Sequence, residues 1–243
     1  MKAMILAAGM GTRLQPLTNN KPKALVECGG VPLLEIIISR LKMAGFTELV
    51  INIHHFGDQI LDFLKAKDNF GLTIDISDER AMLLDTGGGI KHAAQLFGNE
   101  PVLVHNVDVL TTLDIRALVQ FHSKQSNAIA TMAVKDRETS RSLLLDKEGN
   151  LAGWKNNMTG ETKISHGNES ELSPIAFSCV HILNPQCIKL LTETGAFSII
   201  DSYLRLAKTE RIATFSHSDL WMDMGRVEHL KQAEPFVPQL LQR

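Results

Sequence analysis

The sequence predicts an α/β fold, three layers deep, with helices on both faces of a mostly parallel mixed sheet. Three observations carry this. Short apolar runs alternate with segments of helical spacing along the first half of the chain. The runs stop at glycine, asparagine or aspartate, as buried strands do before a turn. The chain has 243 residues, 44% hydrophobic and 21% charged, which suffices for a full core without staples.

Ala3–Ala8 is a continuous apolar run halted by Gly9, the pattern of a buried parallel strand. Residues 32–44 place Leu34, Ile37, Ile38 and Leu41 at helical spacing, with Gly45 as the C-cap. Glu48–Ile53 reads as the next strand. Asp58–Lys67 follows as a short amphipathic helix on Ile60, Leu61, Phe63 and Leu64. Leu72–Ser77 reads as a third strand, Ile90–Phe97 as a helix and Pro101–Asn106 as a fourth strand. A helix over 114–124 and a strand over Ala128–Val134 complete the regular series. The arrangement is Rossmann-like. Residues 142–183 hold shorter strand-like runs around a polar stretch, Asn156–Glu171, that reads as a loop or lid. Residues 186–192 and 198–207 read as helices, Arg211–Ser216 as a strand and Val227–Ala233 as a closing helix. Right-handed crossovers bring the loops 9–23, 54–57, 77–89 and 106–112 to one edge, where open sheets of this kind bind ligands. No linker-like tract or repeat divides the chain, so a single domain over 1–243 is expected.

Charge and cysteine content exclude several classes. Lys plus Arg total 25 against 27 for Asp plus Glu, so no basic excess favours nucleic acid. Cys28, Cys179 and Cys187 are odd in number and widely spaced. They fit neither a disulfide framework nor a cysteine zinc site, and they suit a reducing, cytoplasmic setting. No stretch reaches the ~18 apolar residues of a membrane span, and no signal-peptide core precedes Gly9. Neither a membrane nor a nucleic acid is an expected partner, and the oligomeric state is left open. There is no G-x-S-x-G elbow for acyl hydrolysis.

The strongest local signal is Leu6–Thr18 followed by Lys21–Leu25. A buried strand opens into Gly9 and Gly11, which permit unusual backbone angles and close approach of a phosphate to main-chain N–H groups. Thr12 adds a hydroxyl, Arg13 a planar fork suited to phosphate oxygens, and Lys23 a second cation stiffened by Pro22. The set reads as a clamp for a triphosphate. A dinucleotide fingerprint would need a third glycine where Leu14 stands, and no Walker A loop is present. His54 and His55 are neighbours after the second strand; adjacent strand residues point to opposite faces, so they read as polar loop residues.

Leu6–Leu25 resembles the signature of the sugar-1-phosphate nucleotidyltransferases, G-x-G-T-R-(x)-P-x-T-x-x-x-P-K. The likeness covers most of the chain. Gly87-Gly88-Gly89 resembles a second glycine turn against the base, Asn106-Val107-Asp108 a metal-binding N/G-x-D step, and Trp221–Gly225 a late W-x-D-x-G metal segment. The resemblance implies a fold of the nucleotide-diphospho-sugar transferase type, with a nucleotide-binding half (1–135) and a sugar-binding half (136–243). It implies a nucleoside triphosphate and a sugar 1-phosphate as partners and Mg²⁺ as cofactor. Arg13 and Lys23 would be catalytic, and Asp108 and Asp223 would hold the metal. Ala7, Ala8, Gly9, Gly11, Thr12, Asp85, Thr86, Gly87 and Gly88 would bind the nucleotide; Lys155 and Asn157 would meet the sugar phosphate.

Within the family, the run Leu84–Ile90 is most similar to members that pair UTP with N-acetylmuramic acid 1-phosphate. GTP with mannose 1-phosphate is the alternative, and cytidylyl transfer to an alcohol phosphate stands third. A non-catalytic nucleotide-binding regulator is the reading from another class. Three positions depart from the family pattern. Val107 replaces a common glycine, and Trp154 stands where many members carry an acid. Cys179 replaces the glycine of an F-x-G step and reads as a small buried hydrophobe.

Overall fold

A computed structural model describes residues 1–242. The chain runs through β1 (Lys2–Leu6), the ribbon β2 (Glu27–Cys28) and β3 (Val31–Pro32), and α1 (Leu33–Met43). It continues through β4 (Glu48–Ile53), α2 (Gly57–Ala66), β5 (Thr73–Asp78), α3 (Asp85–His92) and α4 (Ala94–Phe97). Next come β6 (Val102–Asn106), β7 (Val109–Thr111), α5 (Ile115–Ser123) and β8 (Ala128–Lys135). The later part holds β9 (Arg141–Leu145), β10 (Leu151–Asn156), β11 (Thr162–Ile164) and β12 (Ser173–Leu183). α6 (Pro185–Lys189), α7 (Ile199–Leu206), β13 (Arg211–Ser216), β14 (Trp221–Asp223), α8 (Val227–Ala233) and α9 (Val237–Leu240) close it.

The central sheet has the expected character. β5, β4, β1 and β6 lie side by side and parallel. β12 then joins β6 in the opposite sense. β12 forks: residues 180–183 pair with β6 while residues 173–175 pair with β9, which continues through β10 to β11. β8 pairs antiparallel with β12, and β13 joins β8 in parallel beyond it. Period-two alternation in β1 and β4 divides the core. Ala3, Ile5, Leu49 and Ile51 face α1 and α5, whereas Met4 and Val50 face the layer that holds Ile90 and Tyr203. Helices therefore cover both faces, and the strand ends converge on one edge.

Three local expectations are corrected. The first strand ends at Leu6, so Ala7 and Ala8 already belong to the turn. The triple glycine forms the body of α3 rather than a turn before it. Asn156–Glu171 is a hairpin arm containing β11, not a structureless lid. No helix among the described residues is long and apolar enough to cross a membrane.

Candidate active site

The first loop after β1 departs from ordinary backbone geometry at Gly11, with φ at 66°. A Cβ there would lie 2.9 Å from both the Lys23 Cβ and the Thr18 Cγ2, so only glycine fits. Thr18 Oγ1 donates to the Gly11 carbonyl at 2.9 Å and closes the loop. Lys23 is buried beneath it, and its ammonium pairs with Asp108 Oδ2. Asp108 follows β6, the strand adjacent to β1, so parallel pairing of β1 with β6 sets this meeting. Arg13 stands further out on the same loop.

Asp223 reaches the site by a different route. β14 pairs antiparallel with β7, with Asp223 opposite Val109, and Met224 N–H donates to the Asp108 carbonyl at 2.7 Å. Both carboxylates therefore lie on one short ribbon. Asp223 Oδ1 accepts from the Gly225 N–H at 2.8 Å, and His229 Nδ1–H donates to its carbonyl at 2.6 Å. A Cβ on Gly225 would lie 2.6 Å from Arg13 Nη2 and 2.9 Å from Asp223 Oδ1, so the missing side chain makes room for the guanidinium beside the carboxylate. Arg13, Lys23, Asp108 and Asp223 come together at one place.

Two cavities meet there. The smaller, about 340 Å³, is lined by Ala8, Gly9, Lys23, Asp85, Thr86 and Val107. The larger, about 810 Å³, is lined by Arg13, Asp223, Arg137, Trp154, Cys179 and Trp221. Asn106 and Asp108 line both. Ala7 stands behind the smaller cavity, its N–H given to Asn52 Oδ1 at 2.6 Å. Thr12 is exposed on the outer loop. Thr86 accepts from the Ile199 N–H at 3.0 Å. Gly87 and Gly88 both donate to the Phe197 carbonyl and are absent from the lining. Their lack of side chains serves packing: a Cβ on Gly88 would lie 2.5 Å from the Gly195 carbonyl oxygen.

The sugar-side expectations fare differently. Trp154 lines the larger cavity, and Lys155, next along β10, lies on the alternate face with its ammonium 3.5 Å from Glu169 Oε1. Asn157 gives its amide to the Thr139 carbonyl at 2.8 Å and Ser142 Oγ at 2.9 Å. Neither lines the cavity. Lys163, paired across the hairpin with Trp154 and 5.3 Å from its ring, does. Cys179 is likewise corrected: it is no core residue but part of the cavity wall, at a φ of 57°. That backbone region suits the glycine the position resembles. Burial, with Asp108 nearby, pushes its thiol up to about 12.

Sequence reasoning missed several residues. Asn52 and Glu79, both buried, link the walls of the smaller cavity: Asn52 Nδ2 donates to Glu79 Oε1 at 2.7 Å, and Leu84 N–H donates to Glu79 Oε2 at 3.3 Å. Burial holds the Glu79 carboxyl above the usual carboxylate range. A lone polar residue inside each of two strand-end segments was the available signal. His54, as expected of a loop residue, donates Nδ1–H to the Glu79 carbonyl at 2.7 Å. Arg137 was missed as well; its guanidinium sits over Trp221, 3.5 Å from the ring centroid.

Residues 2–142 match the family model described as nucleotidyl transferase. An N-acetylmuramate alpha-1-phosphate uridylyltransferase of Caulobacter vibrioides is 35% identical over 233 residues, covering 92% of this chain and 91% of that protein. A probable mannose-1-phosphate guanylyltransferase of Oryza sativa is 30% identical, covering 93% of this chain and 62% of that one. The solved structure of a putative glucose-1-phosphate thymidylyltransferase from Bacillus anthracis superimposes with a TM-score of 0.80 at 19% identity, over 98% of this chain and 95% of that one.

Proposed function

The chain belongs to the nucleotidyl transferase family and is a sugar-1-phosphate nucleotidyltransferase; from that premise we propose that its donor is UTP and its acceptor N-acetylmuramic acid 1-phosphate. An oxygen of the acceptor phosphate attacks the α-phosphorus. The bond from that phosphorus to the β-phosphate bridge breaks, and pyrophosphate leaves with the electron pair. Both reactants are anions, so the barrier is mainly one of bringing them together and spreading charge.

The observation that carries this reading is the meeting of Arg13, Lys23, Asp108 and Asp223 where the two cavities join. In it the smaller cavity takes the nucleotide, with Ala8, Gly9, Asp85 and Thr86 against the base and sugar. The Gly11–Thr12 turn and Arg13 face the β- and γ-phosphates. Lys23 neutralises the α-phosphate as it is attacked, and the larger cavity takes the acceptor.

The same pair of carboxylates fits Mg²⁺. Two hard oxygen donors side by side, with no third His, Cys, Asp or Glu clustered among the described residues, suit an ion that keeps waters and takes phosphates as its other ligands. When bound, Mg²⁺ supplies charge screening between the two phosphates. Asp108 and Asp223 would hold it, and Lys23 fixes the orientation of Asp108. Three free cysteines suit a cytoplasmic setting.

The test is pyrophosphate release over a panel of nucleoside triphosphates and sugar 1-phosphates. UTP with N-acetylmuramic acid 1-phosphate is expected to give the highest kcat/KM. Preference for GTP with mannose 1-phosphate, the activity the Oryza relative is named for, would replace that pair. Nucleotide binding with no release on any pair would leave a regulator.

A further inference from the structure

The larger cavity is lined by four cations, Arg13, Arg137, Arg141 and Lys163, while the two residues expected to meet the incoming phosphate face elsewhere; Lys163 is already paired with Asp201, and Arg13 belongs to the triphosphate loop. Resting on the nucleotidyltransferase reading above, we propose that Arg137 binds the acceptor's 1-phosphate and that Trp221 positions it. Arg137 follows β8 and lines the cavity with Asp108, Asp223 and Cys179. Its guanidinium lies 3.5 Å above the centre of the Trp221 ring. Nη2 donates to the Phe177 carbonyl at 2.9 Å and Nη1 to the Glu138 carbonyl at 3.2 Å, while Nε is buried with no acceptor. A guanidinium carries five N–H donors, so the protein leaves part of the fork unused.

Its charge has no direct ion pair, only the Trp221 ring beneath it and Asp223 at longer range. Among the described residues no carboxylate lies within ion-pair distance of Arg137, although burial already works against the charged form. A half-buried cation held rigid and unpaired is costly unless an anion arrives. The place for that anion follows from strand geometry. Trp221 and Asp223 stand two residues apart on β14, on the same face and about 7 Å from each other. An oxyanion on Arg137 therefore sits beside the Asp223 carboxylate, which the proposed mechanism gives to the metal. That position fits the phosphate that attacks, rather than a substituent at the far end of the sugar. The ring beneath is itself tied down: Trp221 Nε1–H donates to the Ser178 carbonyl at 2.9 Å.

The test uses the full chain and the variants Arg137→Met and Arg137→Lys. Steady-state pyrophosphate release is measured with UTP against N-acetylmuramic acid 1-phosphate and against N-acetylglucosamine 1-phosphate. Arg137→Met is expected to raise the acceptor KM at least about tenfold for both sugars, with the UTP KM within about twofold of wild type and partial rescue by lysine. Loss confined to the carboxylate-bearing sugar would overturn the assignment to phosphate, as would an unchanged acceptor KM or an equal rise in the UTP KM. Quenching of tryptophan fluorescence by each sugar 1-phosphate, without nucleotide, reads the site independently of turnover. Arginine-dependent quenching without turnover would support this site while refuting the enzymatic reading, and wild type showing neither would refute both.

Discussion

Asp108 and Asp223 occupy one ribbon but are held differently, by the Lys23 ammonium and by the Gly225 N–H respectively. Asp108→Asn and Asp223→Asn are expected to cut turnover by orders of magnitude; Asp223→Asn should leave the thermal midpoint nearly unchanged, whereas Asp108→Asn should lower it, because the buried Lys23 ammonium loses its carboxylate. Full metal-dependent turnover by Asp223→Asn would remove it from the site. Cys179 presents the opposite case, a half-buried thiol in the cavity wall. With its ionisation pushed up to about 12, alkylation at neutral pH should be far slower than for a free cysteine. Cys179→Gly should stabilise the protein by about 1 kcal/mol, read from urea unfolding, since it relieves a φ of 57°. These positions show what a sequence yields at this scale. Residue types and spacing indicated Arg13, Lys23 and both carboxylates. Lys155 does not line the larger cavity because strand parity decides which of two neighbours faces it, and Trp154 took the inward face.

At the scale of an element, α3 is the instructive case. Glycine disfavours helix by about 1 kcal/mol per residue, so three in a row signal a turn. Close packing against the 195–197 segment and Glu79 outweighs that preference. On propensity alone Gly88→Ala would stabilise the protein; the 2.5 Å approach to the Gly195 carbonyl predicts destabilisation by about 1–3 kcal/mol instead. A raised nucleotide KM should accompany it, because α3 carries Asp85 and Thr86. A melting temperature equal to or above wild type would contradict this packing account. β12 was legible only in fragments, since its register shifts between Phe177 and His181 and its two ends serve different neighbours. Beside that irregularity, Ser178 Oγ bonds His217 Nε2 at 2.9 Å, which anchors the segment that carries the Trp221 contact.

Across the whole molecule, one sheet continues from β5 through β12 into the later strands, so the expected halves share a backbone ladder rather than a hinge. Alternation of polar and apolar segments made the layers readable; pairing order in the last hundred or so residues depends on long-range contacts that no local pattern encodes. The shared sheet also buries histidines. Burial lowers His105 to about 4 and His181 to about 3, and it lowers His122 and His217 as well. A folded-state value below the unfolded one means that the unfolded chain takes up protons first. Stability from these groups is full above pH 6.5 and is lost as the pH falls towards 4. The urea midpoint should therefore be lower at pH 5 than at pH 7, and an equal midpoint would contradict neutral burial of these rings. The meeting of Arg13 with Gly225 has a temporal side. During synthesis the phosphate loop emerges well before its opposite wall, β14, which lies about two hundred residues further along. A nascent chain that has not yet released β14 therefore lacks one carboxylate of the pair, and nucleotide is safe from consumption until β14 follows.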